Sequence, residues 1–137
     1  MDNKLYGITK GTDLEKMIKA VATAEANGTK MYYSLARIAR EQGQPEEFAA
    51  TLEKMADQES NHAGFYAMLN AEVKDDIFAV LEQVKKAEYG AEKALLPLAE
   101  KLRQLGSEEA AKQVEEFTKQ ETHHGEIIDE LLKKYKK

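Results

Sequence analysis

Two short segments repeat one chemical pattern. Glu59-Ser-Asn-His62 and Glu121-Thr-His-His124 each place an acid and a histidine three residues apart. Three residues is close to one helical turn, so each pair presents a carboxylate and an imidazole side by side. Two further acids, Glu25 and Glu88, stand at the matching place in two other apolar stripes. Oxygen and imidazole donors in this mixture suit iron or manganese better than magnesium or copper. The chain has no cysteine, which excludes disulfides, thiolate catalysis and thiolate-held metals within these residues.

The elements that must position these residues are four helices. Helix one is predicted to open at Thr12, with Thr12 and Glu15 as a capping box, and to end near Gln42–Gly43. Helix two starts at Pro45, with Glu46 and Glu47 in its first turn, and fades near Asn70. Helix three begins around 75–77, contains Pro97 as an expected kink, and ends near Gly106. Helix four is capped by Ser107 and runs into the basic tail KKYKK.

Each helix carries an apolar stripe whose spacing alternates three and four, the seam of a bundle. Helix one reads Leu14, Ile18, Val21, Glu25, Gly28, Tyr32, Leu35, Ala39. Helix two reads Phe48, Leu52, Met55, Glu59, His62, Tyr66, Leu69. Helix three reads Ile77, Leu81, Val84, Glu88, Ala91, Leu95, Leu98, Leu102 and Leu105, and helix four reads Ala110, Val114, Phe117, Glu121, His124, Ile128, Leu131, Tyr135. An acid interrupts every seam at mid-length. Four unpaired carboxylates facing one another would cost several kcal/mol each or take up protons. No lysine or arginine lies on the seams near them, whereas two divalent cations would cancel the charge. A lone Glu-x-x-His is common and means little; two of them with two lone seam acids on consecutive helices is a specific pattern. His123, Glu92 and Glu126 fall off the seams and are expected at the surface. Gly28, Gly64, Gly90 and Gly125 lie near the acids inside helices, where glycine costs about 1 kcal/mol, and serve close packing, room for metal and oxidant, or both. Tyr32 and Tyr66, seven residues after a seam acid, fit core aromatics or partners of the ligands.

The chain of 137 residues fits one domain, residues 1–137, with a net charge of −5 that argues against nucleic acid or an anionic membrane as partner. It has no apolar run long enough to span a bilayer, and its first residues lack a signal-peptide core. A cytoplasmic location is the expectation.

From residue 12 to 135 the chain resembles the rubrerythrin family of the ferritin-like superfamily. The likeness rests on Glu25 followed by MYYSLARIAREQG, on Glu59-Ser-Asn-His62, on EYGAEKALLPLAEKLRQLG from Glu88, and on Glu121-Thr-His-His124. It implies an all-α, ferritin-like four-helix bundle with a crossover between helices two and three. It implies a non-haem di-iron oxidoreductase that reduces hydrogen peroxide in oxidative-stress defence; a ferroxidase or iron-binding protein reacting with dioxygen is the alternative. Two iron ions are implied, and manganese or a mixed iron–manganese pair suits the same donors. Glu59 and Glu121 would bridge, Glu25 and His62 would serve one metal, and Glu88 and His124 the other. Two departures stand out. Rubrerythrins typically carry a Cys-ligated rubredoxin iron, so here electrons come from an external donor such as a rubredoxin. They also usually have a second acid three residues after the third-helix Glu, where this chain has Ala91.

For the two Glu-x-x-His helices to face each other antiparallel, helix three must run parallel to helix two. Residues 69–76, LNAEVKDD, just suffice to make that climb when fully extended. So tight a crossover points to a homodimer in which helices are exchanged between chains.

Overall fold

The computed structural model describes residues 4–137, and among them the regular elements are four α-helices: α1 Glu15–Glu41, α2 Glu46–Leu69, α3 Ile77–Gln104 and α4 Glu108–Tyr135. The chain divides into two compact units, one ending at Asp75 and one running Asp76–Lys137. Each is a helical hairpin: α1 packs on α2, and α3 packs on α4.

Local chemistry sets the ends. The side chains of Asp76 and Ser107 cap α3 and α4 by accepting from the backbone N–H of Ala79 and Ala110. Pro97 lies inside α3 without ending it. The hairpin loops turn on Gly43 (φ 76°) and Gly106 (φ 101°), left-handed positions that favour glycine. Gly43 N–H donates to Arg40 O and Gln44 N–H to Ala39 O; Gly106 and Ser107 repeat this with Arg103 and Leu102. The end of α2 has the same wrapped cap, Ala71 N–H to Met68 O and Glu72 N–H to Ala67 O, but with the non-glycine Ala71 at φ 52°.

The start of α1 differs from the expected box. The helix begins at Glu15, Thr12 Oγ1 accepts from Leu14 N–H, and Glu15 Oε1 accepts from Gly11 N–H instead of closing back on Thr12. The residues before it form a strap over the end of α2. Gly7 and Thr9 N–H donate to the carbonyls of Met68 and Leu69, and Tyr6 OH donates to Val73 O. The Thr9 hydroxyl meets Leu69 O and the Asn70 side chain, and Asn70 Nδ2 donates to Glu15 O at 2.8 Å.

The helices of each hairpin meet on small residues, not on the large ones of the seams. Ala111, Thr118, Gly125 and Leu132 are buried at intervals of seven along α4. Ala22 and Ala36 on α1 and Ala49 and Ala56 on α2 are buried in the first hairpin, and Thr29 Oγ1 reaches Ala56 O at 3.5 Å. Several large seam residues stay open within their own hairpin, Phe48 52% and Ile77 60% exposed among them, while Leu69 and Ile128 are buried.

An arginine ties each hairpin near its loop. Arg40 on α1 grips Glu46 and Glu53 of α2 at 2.7 Å. Arg103 on α3 grips Glu108 at 2.5 Å and Glu115 at 3.2 Å. Both guanidiniums have proton affinities raised further by these carboxylates, and Glu46, Glu53 and Glu108 are lowered in return.

Candidate metal centre

All six residues singled out by their spacing fall into two groups of three. In the first hairpin, α1 contributes Glu25 and α2 contributes Glu59 and His62, with one donor atom from each within 4.8 Å of the others. In the second, α3 contributes Glu88 and α4 contributes Glu121 and His124 within the same limit. One helical turn brings the acid and histidine together on α2 and α4, and the small-residue packing brings the partner helix close enough to add its acid.

The surroundings of the two groups differ in detail. His62 Nδ1 lies 3.4 Å from Glu25 Oε2. His124 Nδ1 lies between two acids, 3.6 Å from Glu88 Oε2 and 3.5 Å from Glu121 Oε2. The Glu121 carboxyl and then burial hold the Glu88 pKa above the ordinary carboxylate value, with His124 opposing. Buried Oε2 atoms of Glu25 and Glu88 accept no hydrogen bond from the described residues. Leaving a carboxylate oxygen so is costly unless a proton or a cation answers it. A divalent metal in each group would answer its orphan, and the donor set of carboxylates with one imidazole per group fits iron or manganese.

The glycines separate into two roles. A Cβ on Gly28 would lie 3.5 Å from Glu59 Cδ, so the Glu59 side chain rests over bare α1 backbone. A Cβ on Gly125 would come within 2.8 Å of the Tyr89 ring, so close packing requires glycine there. Nothing lies within 4 Å of a Cβ built at Gly64 or Gly90. Tyr32 and Tyr66 are half-buried, while His123, Glu92 and Glu126 are exposed as their off-seam positions predict.

Sequence reasoning passed over two tyrosine–carboxylate pairs beside the groups. Tyr33 OH donates to Asp57, and Tyr89 OH donates to Asp129 at 2.7 Å, with Lys85 Nζ 3.0 Å from the same carboxyl. Each carboxylate raises the pKa of its tyrosine, and Tyr89 followed by Lys85 lowers that of Asp129. It also passed over an internal repeat. Glu25, Arg40 and Ala36 recur 63 residues on as Glu88, Arg103 and Ala99; Glu59, His62 and Glu53 recur 62 residues on as Glu121, His124 and Glu115. That signal was present in the letters, as a constant offset between matched pairs.

The family model described as Rubrerythrin matches residues 16–132. Reverse rubrerythrin-1 of Clostridium acetobutylicum is 32% identical over 137 residues, which span 98% of this chain and 75% of that protein. An uncharacterised protein of Methanocaldococcus jannaschii is 31% identical over 129 residues, 94% of this chain and 91% of its own length. No solved structure matches at the same level of significance. None of the helices among the described residues is long and apolar enough to cross a membrane.

Proposed function

The chain belongs to the rubrerythrin family, all-α and of the ferritin-like four-helix class, and from that premise we propose a non-haem di-iron oxidoreductase that reduces hydrogen peroxide with electrons from an external donor protein. The observation that carries the reading is the pair of carboxylate–histidine groups, each with one buried carboxylate oxygen left unanswered. In this proposal the two hairpin units build a single di-metal domain. Glu25 and His62 would hold one metal, Glu88 and His124 would hold the other, and Glu59 and Glu121 would serve both.

Two bound iron ions would supply the two electrons that, with two protons, convert one peroxide to two waters. The chain's own part is to position and to exclude. The arginine clasps and small-residue contacts fix each pair of helices, so the three donors of a group stand in place before metal arrives. Leucine and tyrosine neighbours on the seams, Tyr32 and Leu35 among them, keep bulk water from the donors once the seams are covered. The donor protein, a rubredoxin or its equivalent, must come from outside these residues because they include no cysteine. We place the protein in the cytoplasm, acting as a homodimer.

A second reading, a ferroxidase that binds and oxidises iron with dioxygen, is favoured by Ala91, which stands where the family's additional acid is expected. Metal content per chain, followed by anaerobic reduction and stopped-flow mixing with peroxide or dioxygen, tests both. About two irons per chain and faster oxidation by peroxide is the expected result. Preference for dioxygen gives the ferroxidase reading, two manganese ions correct the metal, and a folded protein that takes up no metal removes the function.

A further inference from the structure

We propose that Tyr89 is a positioning residue: anchored by Asp129 and Lys85, it fixes Glu88 and His124 relative to each other, so that the second hairpin's group takes its metal first and the first hairpin's group second. The inference rests on the reading above that the six residues hold two metals. Tyr89 follows Glu88 directly on α3, and Gly125 follows His124 directly on α4. The Tyr89 ring packs on Gly125 so closely that a Cβ there would lie 2.8 Å from Cε1. One contact thus joins the two helices a single residue away from a donor on each side.

The far end of the side chain is tied as well. Tyr89 OH donates to Asp129 Oδ2 at 2.7 Å, a short bond to a charged acceptor. Lys85 Nζ lies 3.0 Å from Asp129 Oδ1 and 3.3 Å from Glu82, and Lys136 Nζ lies 3.5 Å from the same Glu82. Gly125 and Asp129 are four residues apart, as are Lys85 and Tyr89, so each pair lines one face of its helix. The ring therefore lies along one turn of α4, and sliding α3 against α4 would break both of its contacts.

The internal repeat shows what the first hairpin lacks. Sixty-three residues before Lys85 and Tyr89 stand Ala22 and Ala26; sixty-two residues before Gly125 and Asp129 stand Ala63 and Ala67. All four members of the strut are alanine there, while the three donors beside them are repeated. Tyr33 with Asp57 is no substitute, because Tyr33 stands about two turns beyond Glu25, toward the loop. The donors reflect the difference. His124 Nδ1 is 3.6 Å from Glu88 Oε2 and 3.5 Å from Glu121 Oε2, whereas His62 Nδ1 is 3.4 Å from Glu25 Oε2 and Glu59 is laid over Gly28. A group already gathered loses less freedom when a cation arrives, and so binds it more tightly.

Stepwise titration of the metal-free protein with cobalt(II) tests this, read as bound metal and as visible absorption, which reports the ligands of each ion. Two steps are expected. His124→Ala should remove the tighter step, and His62→Ala should leave it. Tyr89→Phe keeps the ring on Gly125 and loses only the bond to Asp129. It should weaken the tighter step about tenfold, shift the absorption of the first ion, and leave the weaker step within about twofold. Asp129→Asn still offers Tyr89 an oxygen and should fall between the two. A lower urea midpoint of these metal-free variants, with the gap between the steps unchanged, means a role in stability alone and overturns the proposal. So does a tighter step that survives His124→Ala, or two ions that enter in one indivisible step; both leave the function standing. Ordered binding in a protein that, loaded with iron, does not consume peroxide removes the function and leaves the strut. A folded protein that takes up neither cobalt nor iron removes both.

Discussion

The two hairpins share one skeleton and differ at its chemical centre. Each has an acid on its first helix, a Glu-x-x-His on its second, a clasping arginine near the loop and a small-residue packing stripe. In the first, Glu59 lies over Gly28 and His62 faces Glu25. In the second, His124 stands between two acids, the Glu121 carboxyl raises the Glu88 pKa, and the Tyr89 ring is pressed on Gly125. Where Gly28 stands in the first hairpin, the repeat places Ala91 in the second. The backbone repeat thus fixes where donors stand, while single side chains set how strongly each group calls for a cation.

The largest effect that tests this comparison comes from Glu59 and Glu121, the acids proposed to bridge. Glu59→Leu and Glu121→Leu, made singly, are each expected to abolish binding of the metal pair, measured by metal analysis. The metal-free forms should then be more stable than metal-free wild type by up to about 1 kcal/mol in urea unfolding, because a half-buried acid gives way to an apolar side chain. If one substitution removes one metal and the other removes two, the hairpins are not equivalent as ligands.

Next in size is the strap, which only the first hairpin has among the described residues. Asn70 is 3% exposed and ties the end of α2 to Glu15 O. Asn70→Ala is expected to cost about 1–3 kcal/mol by leaving buried polar groups unpaired. Hydrogen exchange should report the loss in α1 and α2 and leave α3 and α4 unchanged.

A glycine pair sharpens the contrast further. Gly28→Ala meets only ordinary contacts, so the gain in helix propensity should leave the metal-free protein stabilised by up to about 1 kcal/mol. Gly125→Ala drives a methyl group into the Tyr89 ring and should destabilise by about 1 kcal/mol net, overpacking outweighing propensity. Equal effects in thermal unfolding would mean that the Tyr89 ring gives way freely.

The smallest effect is a loss of stability toward high pH that arises at Glu88 in the second hairpin. The folded-state pKa of Glu88 is raised, so its contribution is fully present below the unfolded pKa and is lost as pH rises through the folded one. Glu46, Glu53 and Glu108 are lowered by their arginines, so their contributions are lost as pH falls. Metal-free protein should therefore lose some stability on going from about pH 5 to pH 8, and Glu88→Gln should reduce that loss while Glu25→Gln serves as the comparison.

Much of this was legible in the letters. The three-and-four spacing of large apolar residues exposed the seams, and acids interrupting all four of them marked the donors. Ser107 and the two loop glycines marked helix ends because their local chemistry is strong. The contact inside each hairpin was not legible by that route. It is made of Ala22, Ala36, Ala49, Ala56 and Ala111, and alanine suits any helical position, so the stripe carries no contrast in polarity. The strap was hidden for a different reason: Thr9 and Asn70 find each other across 61 residues of chain. The displaced box at Thr12 follows from it, since Asn70 takes Glu15 O and the turns before α1 are held by α2.

The wrapped end of α2 also bears on how the protein is made. Everything that holds the first hairpin together, strap and cap included, lies before Asp75, so this half can fold while the second is still being translated. The contacts beside its loop are local, which favours rapid closure, while the strap joins residues 60 to 67 apart. Until a matching hairpin arrives, however, the nascent half presents an apolar stripe with acids at its middle. The interval before the second half is complete is therefore when this stripe is most open to association with other chains.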